Sequence, residues 1–361
     1  MLEYELLTTG RLSQALEYLD KLEGVKLLAG GTDILVDIKK KSGRLPEFDY
    51  LLDISNIDAL KFIRQKNDFI ELGPLVTHTM IINNRLIKDN FPVIVEAAKT
   101  IGSNQIRNRG TIGGNICNAS PAADLLPPLL AYRAEVVLES RDSKRVLPLS
   151  EFIKGPYRTD LKTNEILTAI QVPNLKVNYF KDNFKDKDRF KENNDIKDNK
   201  ETNNKPSNST NIKDDNFKDN FSNNFNDNFD DHFKDYKLNN HLNLKYFSSF
   251  QKIGRRRAVT IARLSLALVV GIDAEKIIQD VRVVPGAATP YPRSFITVEE
   301  ALKGRAVEKI DPEALGRLAA EEMVSITGER WSTPYKKPAI ATLVKRGLMI
   351  VEKEVAADEE D

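Results

Sequence analysis

The stretch Leu27-Leu28-Ala29-Gly30-Gly31-Thr32-Asp33-Ile34-Leu35-Val36 runs from an apolar segment through a glycine pair into a second apolar segment. Upstream, Arg11 to Leu22 places Leu12, Ala15, Leu16, Leu19 and Leu22 at helical spacing, and Val25 to Ala29 reads as a short strand. A second glycine pair stands in Gly110-Thr111-Ile112-Gly113-Gly114-Asn115, after Ile106-Arg107-Asn108-Arg109, which reads as strand-like. Glycine lets backbone N–H groups approach a phosphate, and a turn of such amides makes an anion-binding concavity. Two such turns, each with a threonine hydroxyl, suit the two adjacent phosphates of a dinucleotide. For a single pair, a tight turn with no ligand is the stronger reading. Two in one domain favour the clamp. Neither turn fits G-x-G-x-x-G and no Gly-Lys-Ser/Thr occurs, which disfavours a Rossmann site and excludes a P-loop.

Outward from these turns the chain reads as α+β. Phe69 to Leu72 is strand-like, Thr77 is a candidate N-cap for the helix through Ile81 and Ile82, and Pro92 to Thr100 reads as a further helix. Ala134 to Glu139 and Ile166 to Val172 read as strands. Composition then changes. The 70 residues 176–245 include 43 Asn, Asp or Lys and no Ala or Gly, a mixture that buries too little apolar surface to offset chain entropy. The segment reads as a disordered, repeat-expanded insertion. Phe217, Phe221, Phe225, Phe229 and Phe233 recur within it every four residues, which leaves a partner-binding role as the alternative. Beyond it, Val259 to Val270 reads as a buried element and Val281 to Val284 as a strand. Val298 to Leu302 reads as a helix stopped by Gly304, and Pro312 opens the helix Glu313 to Val324. Pro338 is expected to open another, Ala339 to Val351. The expected domains are 1–175, with subdomains 1–57 and 58–175, then the insertion 176–245, a C-terminal α+β domain 246–355, and an acidic tail 356–361.

Of the chain's 361 residues, 41% are apolar, as in ordinary globular proteins, and the net charge of +1 gives no field for nucleic acid or anionic lipid. The run Arg255-Arg256-Arg257 lacks interleaved aromatics, so neither nucleic acid nor membrane is expected as a partner. The start, Met1-Leu2-Glu3-Tyr4-Glu5, lacks the basic and apolar regions of a signal peptide, and no apolar run approaches the ~18 residues of a spanning helix. A cytoplasmic location is therefore expected. Cys117 is the only cysteine and there are three histidines, which excludes an internal disulfide or a cysteine-held iron–sulfur cluster on this chain and leaves no expected metal site. Cys117 itself reads as a small buried residue, and His78 as a helix-start residue more readily than as a covalent flavin anchor.

The two glycine segments, the second continued by Pro121-Ala122-Ala123-Asp124-Leu125, closely resemble the signature of the FAD subunits of the xanthine dehydrogenase and carbon monoxide dehydrogenase family of molybdenum hydroxylases. The resemblance extends to Gly155-Pro156-Tyr157-Arg158-Thr159 with Glu165-Ile166-Leu167, to Phe250-Gln251-Lys252-Ile253-Gly254-Arg255-Arg256, and to Ser332 to Leu348. It implies a PCMH-type, vanillyl-alcohol-oxidase-like FAD-binding domain of two α+β subdomains, followed by a smaller α+β domain of the CO dehydrogenase flavoprotein type. It implies non-covalent FAD, with Ala29, Gly30, Gly31, Thr32, Asp33, Ile34, Leu35, Val36, Thr111, Ile112, Gly113, Gly114 and Asn115 around the pyrophosphate. Ile101 and Asp124 would line the flavin site, Leu167 would border the ring by its backbone, and Lys252 would approach from the C-terminal domain. On the residues alone, Asp124 is either an acceptor for a ribose or ribityl hydroxyl or else an exposed loop acid or a helix N-terminal charge, and Lys252 either a flavin contact or a solvated lysine.

The resemblance further implies a separate molybdopterin-binding large subunit and a small subunit with two 2Fe-2S clusters. FAD in this chain would pass their electrons to NAD+ or another acceptor, with no catalytic acid or base among its residues. The rival readings are a self-contained PCMH-fold flavin oxidoreductase and a non-catalytic scaffold protein. Two departures stand out. Pro74, in Leu72-Gly73-Pro74-Leu75, replaces a commonly small residue, and the 176–245 insertion replaces a short connection.

Overall fold

The computed structural model of the chain describes residues 4–175, 244–256 and 259–358. Residues 176–243 of the asparagine-rich insertion, with its phenylalanine repeat, and Arg257 lie outside the described residues, whereas its last residue, Lys245, begins a strand. The fold begins with β1 (Glu5–Thr8), α1 (Leu12–Lys21), β2 (Val25–Leu28), α2 (Ile34–Lys40) and β3 (Tyr50–Asp53). These make a three-stranded parallel sheet in the order β1-β3-β2, with the helices as crossovers. The helical periodicity of α1 has its expected effect: Ala15, Leu16 and Leu19 are buried.

The next stretch contains β4 (Ile63–Lys66), β5 (Phe69–Leu72), α3 (His78–Asn83), α4 (Arg85–Asn90), α5 (Pro92–Thr100), α6 (Asn104–Arg109), α7 (Ile112–Asn118) and α8 (Leu126–Ala131). It continues with β6 (Glu135–Glu139), β7 (Lys144–Pro148), α9 (Leu149–Phe152), the short pair β8 (Ile153–Gly155) and β9 (Arg158–Thr159), and β10 (Ile166–Pro173). Five of these strands form an antiparallel sheet, β4-β5-β10-β6-β7. Its core gathers Ile70, Leu72, Phe91, Ile94, Phe152 and Ile170, all at or near zero exposure.

The third sheet is antiparallel, in the order β11 (Lys245–Ile253), β12 (Leu264–Ile272), β13 (Ile278–Gly286), followed by α10 (Ile296–Leu302), α11 (Pro312–Thr327) and α12 (Thr333–Ala357). All nine residues of β12 are buried. Side chains alternate across a strand, so burial at every position requires cover on both faces. Leu264, Leu266, Leu268 and Val270 enter the core beneath α10, α11 and α12, while Ala267 and Val269 join the core of the five-stranded sheet, where α5 and α8 pack. Residues on the two sides of the insertion thus fall in one compact unit.

Two expectations shift. The buried element read from Val259 starts later, because β12 begins at Leu264, paired with Ile253 of β11, and Val259 and Ile261 are exposed. Pro338 does not open the last helix, which begins at Thr333 and carries Pro338 inside it. The buried Thr333, whose hydroxyl accepts the Arg330 amide, anchors the earlier start. Among the described residues, no helix is long and apolar enough to cross a membrane, and no group of three or more His, Cys, Asp or Glu side chains could hold a metal ion.

α11 and α12 approach closely at Gly316, where an added Cβ would lie 2.5 Å from the Ala341 carbonyl oxygen. Alanine gains about 1 kcal/mol of helix propensity over glycine, but overpacking against backbone costs about 1–3 kcal/mol. The second effect dominates. Gly316→Ala is expected to lower the thermal midpoint, and an unchanged or raised midpoint would show that the helices part freely.

Candidate functional site

The first glycine turn joins β2 to α2. Gly31 sits at φ +76°, a backbone region that favours glycine, and turns the chain so that α2 starts at Ile34. Among the described residues, the amides of Gly30, Gly31, Thr32 and Asp33 have no hydrogen-bond partner. They form a row of free donors.

The second segment differs from its expectation in two ways. Ile106 to Arg109 belongs to helix α6, not to a strand, and the glycine pair lies in the first turn of α7. Its amides are already engaged. Ile112 donates to the Val76 carbonyl, Gly113 to Pro74, and Gly114 to the Thr111 hydroxyl, the N-cap of α7. The symmetry of two amide turns therefore does not hold, because helix capping and a loop contact use the donors of one of them. Gly113 is needed for another reason: a Cβ there would meet Pro74 at 2.5 Å. Pro74, the departure noted in the sequence, closes over this glycine.

The two segments touch. A Cβ on Gly30 would lie 2.1 Å from the Arg109 carbonyl oxygen, so the first turn lies directly on the residue that precedes the second. His78, at the start of α3, stands behind them with its amide donating to the Gly110 carbonyl at 3.1 Å. Its ring is buried, and burial together with the charge of Arg107 lowers its pKa to about 4.

Asp124 and Lys252 come together from opposite halves of the chain. Lys252 Nζ lies 2.6 Å from Asp124 Oδ2 and also donates to the Thr100 carbonyl at 3.0 Å, with both charged side chains 7% exposed. Neither is the solvated surface group of its alternative reading. Burial raises the pKa of Asp124 against the opposing pull of Lys252 and Thr100. The other carboxylate oxygen, Oδ1, is buried and has no partner among the described residues, and the same is true of Asn115 Oδ1.

Ile101 follows Thr100 and is partly buried against the same core. Its carbonyl, like that of Gly102, accepts from Arg107 at 2.8 Å. Helix α6 thereby ties the Asp124–Lys252 side of the site to the glycine side. Leu167 lies in β10 at a bulge, where Thr168 is the extra residue between the pairs Leu167–Leu138 and Ala169–Val137. It shares the core with Ile101 and Cys117. Leu35 and Val36 are exposed on α2, and Asp33, half-exposed, has its pKa raised by burial and by Asp37. Cys117 is partly buried, and loss of solvation pushes its thiol up to about 12, far from a nucleophile's range.

Two positioning residues were not anticipated, Arg107 and Arg145. Arg145 grips Glu165 through Nε at 2.7 Å and Asp160 through a terminal nitrogen at 2.6 Å, which fixes the chain just before Leu167. Sequence spacing gives no sign of these contacts. The unpartnered acceptors, the free amides and the buried cation form a donor and acceptor set that fits a large polar cofactor carrying phosphates and hydroxyls, such as FAD.

Residues 2–175 match the family described as the FAD binding domain in molybdopterin dehydrogenase, and residues 248–351 match the CO dehydrogenase flavoprotein C-terminal domain. The glyceraldehyde dehydrogenase medium chain of Sulfolobus acidocaldarius is 34% identical over 173 residues, 48% of this chain and 60% of that one. The carbon monoxide dehydrogenase medium chain of Hydrogenophaga pseudoflava is 36% identical over 148 residues, 41% of this chain and 50% of its own. The alignments thus span 60% or less of these curated relatives. A solved structure of the carbon monoxide dehydrogenase of Hydrogenophaga pseudoflava superposes over 97% of both chains with a TM-score of 0.71 at 22% identity, a likeness of fold.

His78 makes the site sensitive to acid. Its folded pKa of about 4 lies below the ordinary value near 6.5, so the unfolded state binds the proton more readily. Its contribution is fully present above about pH 6.5 and is lost as pH falls toward 4, amounting to about 3 kcal/mol. His78→Phe keeps a ring against Gly110 and is expected to flatten this part of the denaturant-midpoint profile between pH 7 and 4. Equal losses in both proteins over that range would show that other groups govern it.

Proposed function

The chain belongs to the FAD-binding subunits of the xanthine dehydrogenase and carbon monoxide dehydrogenase family of molybdenum hydroxylases, and on that premise we propose that it is the electron-exit subunit of such an oxidoreductase. The observation that carries the reading is the buried Asp124–Lys252 pair with an unsatisfied carboxylate oxygen, linked through α6 to the free amides of the first glycine turn. FAD, when bound, supplies the redox chemistry. The chain's residues bind and orient it.

In this reading Ala29 to Val36 receive the pyrophosphate, with the amides of Gly30 to Asp33 as donors. Thr111 to Asn115 contribute shape and the side-chain amide oxygen of Asn115, a buried acceptor suited to a ligand N–H or O–H. Asp124 accepts a hydroxyl of the ribityl or ribose chain through Oδ1, while Lys252 donates to Oδ2 and holds the carboxylate in place. Ile101 and the backbone of Leu167 border the ring. The expected partners are a molybdopterin-binding large subunit and a 2Fe-2S small subunit, with NAD+ or another acceptor taking the electrons. The complex is expected in the cytoplasm, and substrate oxidation belongs to the large subunit.

Purified chain is expected to show flavin absorbance near 450 nm, or to gain it on addition of FAD, and to oxidise no heterocyclic or aldehyde substrate by itself. Colourless protein that does not take up FAD, or hydroxylation by the lone chain, overturns the proposal. Asp124→Asn is expected to weaken FAD binding by about 1.5–3 kcal/mol, the value of a hydrogen bond to a charged group. Gly30→Ala is expected to abolish binding by forcing the two segments apart. Retention of FAD at native affinity in both variants would remove these residues from the site.

A further inference from the structure

The turn after β13 and the loop between α11 and α12 enclose a cavity of about 240 Å³, lined among others by Thr289, Thr327, Arg330, Trp331, Ser332 and Lys336. Two of these side chains are cations. Lys336 Nζ is held by one hydrogen bond to the Ala287 carbonyl at 2.6 Å, which leaves two of its three N–H groups uncommitted. Arg330 uses Nε on the Thr327 carbonyl at 3.0 Å, and its terminal nitrogens have no partner among the described residues. Among the described residues neither cation is paired with a carboxylate, and no acid lines the cavity. Burial and the neighbouring Arg330 charge both lower the pKa of Lys336, as expected of a cation without a counterion. The Thr289 and Thr327 hydroxyls donate within the protein, whereas the Ser332 hydroxyl has no partner among the described residues.

Trp331 forms the rim of this cavity and is 96% exposed, the most exposed large apolar side chain described. A tryptophan face in water beside an unneutralised cationic hollow has two recognition elements in one place. The hollow takes a tetrahedral anion by charge-assisted hydrogen bonds from Lys336, Arg330 and Ser332. The indole takes a flat heterocycle by stacking. At about 240 Å³ the cavity is smaller than a pocket for a whole drug-sized ligand, so it suits the head group, with the heterocycle left on the rim.

We propose that this cavity is a binding site for a nucleoside monophosphate group, its phosphate between Lys336 and Arg330 and its base on Trp331. It lies outside the residues assigned to FAD, and the proposal stands whether or not that assignment holds.

Trp331 is the only tryptophan in the chain, so its fluorescence reports the site directly. Titrating the full-length chain with AMP is expected to give a saturable change in emission with a Kd below about 1 mM, and inorganic phosphate to bind at least about tenfold more weakly. Equilibrium dialysis gives the same constants without the fluorophore, and Trp331→Ala is expected to remove the advantage of AMP over phosphate. Lys336→Met, with native circular dichroism, is expected to weaken both anions by about tenfold or more. Should that variant not fold, Arg330→Gln tests the same charge from the other side. Absence of saturable AMP binding overturns the proposal, as do equal constants for AMP and phosphate. Affinity unchanged in a folded Lys336 or Arg330 variant does so too.

Discussion

An ammonium and a carboxylate removed from water where strand β11 meets the loop between α7 and α8 set the terms for the rest of this molecule. Lys252 reaches from β11 to Asp124, which follows α7, and the two side chains satisfy one another at 2.6 Å. Either charge left alone at that depth would cost several kcal/mol, so each half of the chain requires the other at this point. The pair is still incomplete. One oxygen of Asp124 meets no donor among the described residues, and a buried acceptor in that state fits a fold that expects a further group there.

The glycine segments show how similar sequence patterns serve different ends. In the first, glycine frees backbone donors and permits a left-handed turn at Gly31. In the second, glycine makes room for neighbouring backbone at Pro74, and the donors go to helix capping and loop contacts. Only contact between the segments, through Gly30 and Arg109, makes them one structure. That contact leaves no space for even a methyl group.

Much of this was legible in the sequence. The periodicity of α1, the Thr77 cap, the Pro312 start of α11 and the short apolar runs that mark strands β5, β6 and β10 all depend on neighbours within a few residues, and local rules find them. The sequence misleads where one short-range contact outweighs another. Ile106 to Arg109 reads as strand-like, but Ser103 caps it as a helix and Arg107 binds the carbonyls behind it. Pro338 looked like a helix start because proline favours the first turn, yet the buried Thr333 begins the helix earlier. The meeting of Asp124 with Lys252, 128 residues apart, and the grip of Arg145 on Glu165 leave no local trace, because each is decided by how sheets pack. Asp124 and Lys252 were singled out by resemblance, and what the structure adds is that they hold each other.

The two covered faces of β12 bear on how the molecule comes apart. With neighbours on both edges and apolar layers above and below, this strand has no surface from which to open locally. Its amides are the ones that exchange with solvent only when both cores are lost together. Fraying begins elsewhere, at short edge strands such as β1, and the centre yields last and all at once.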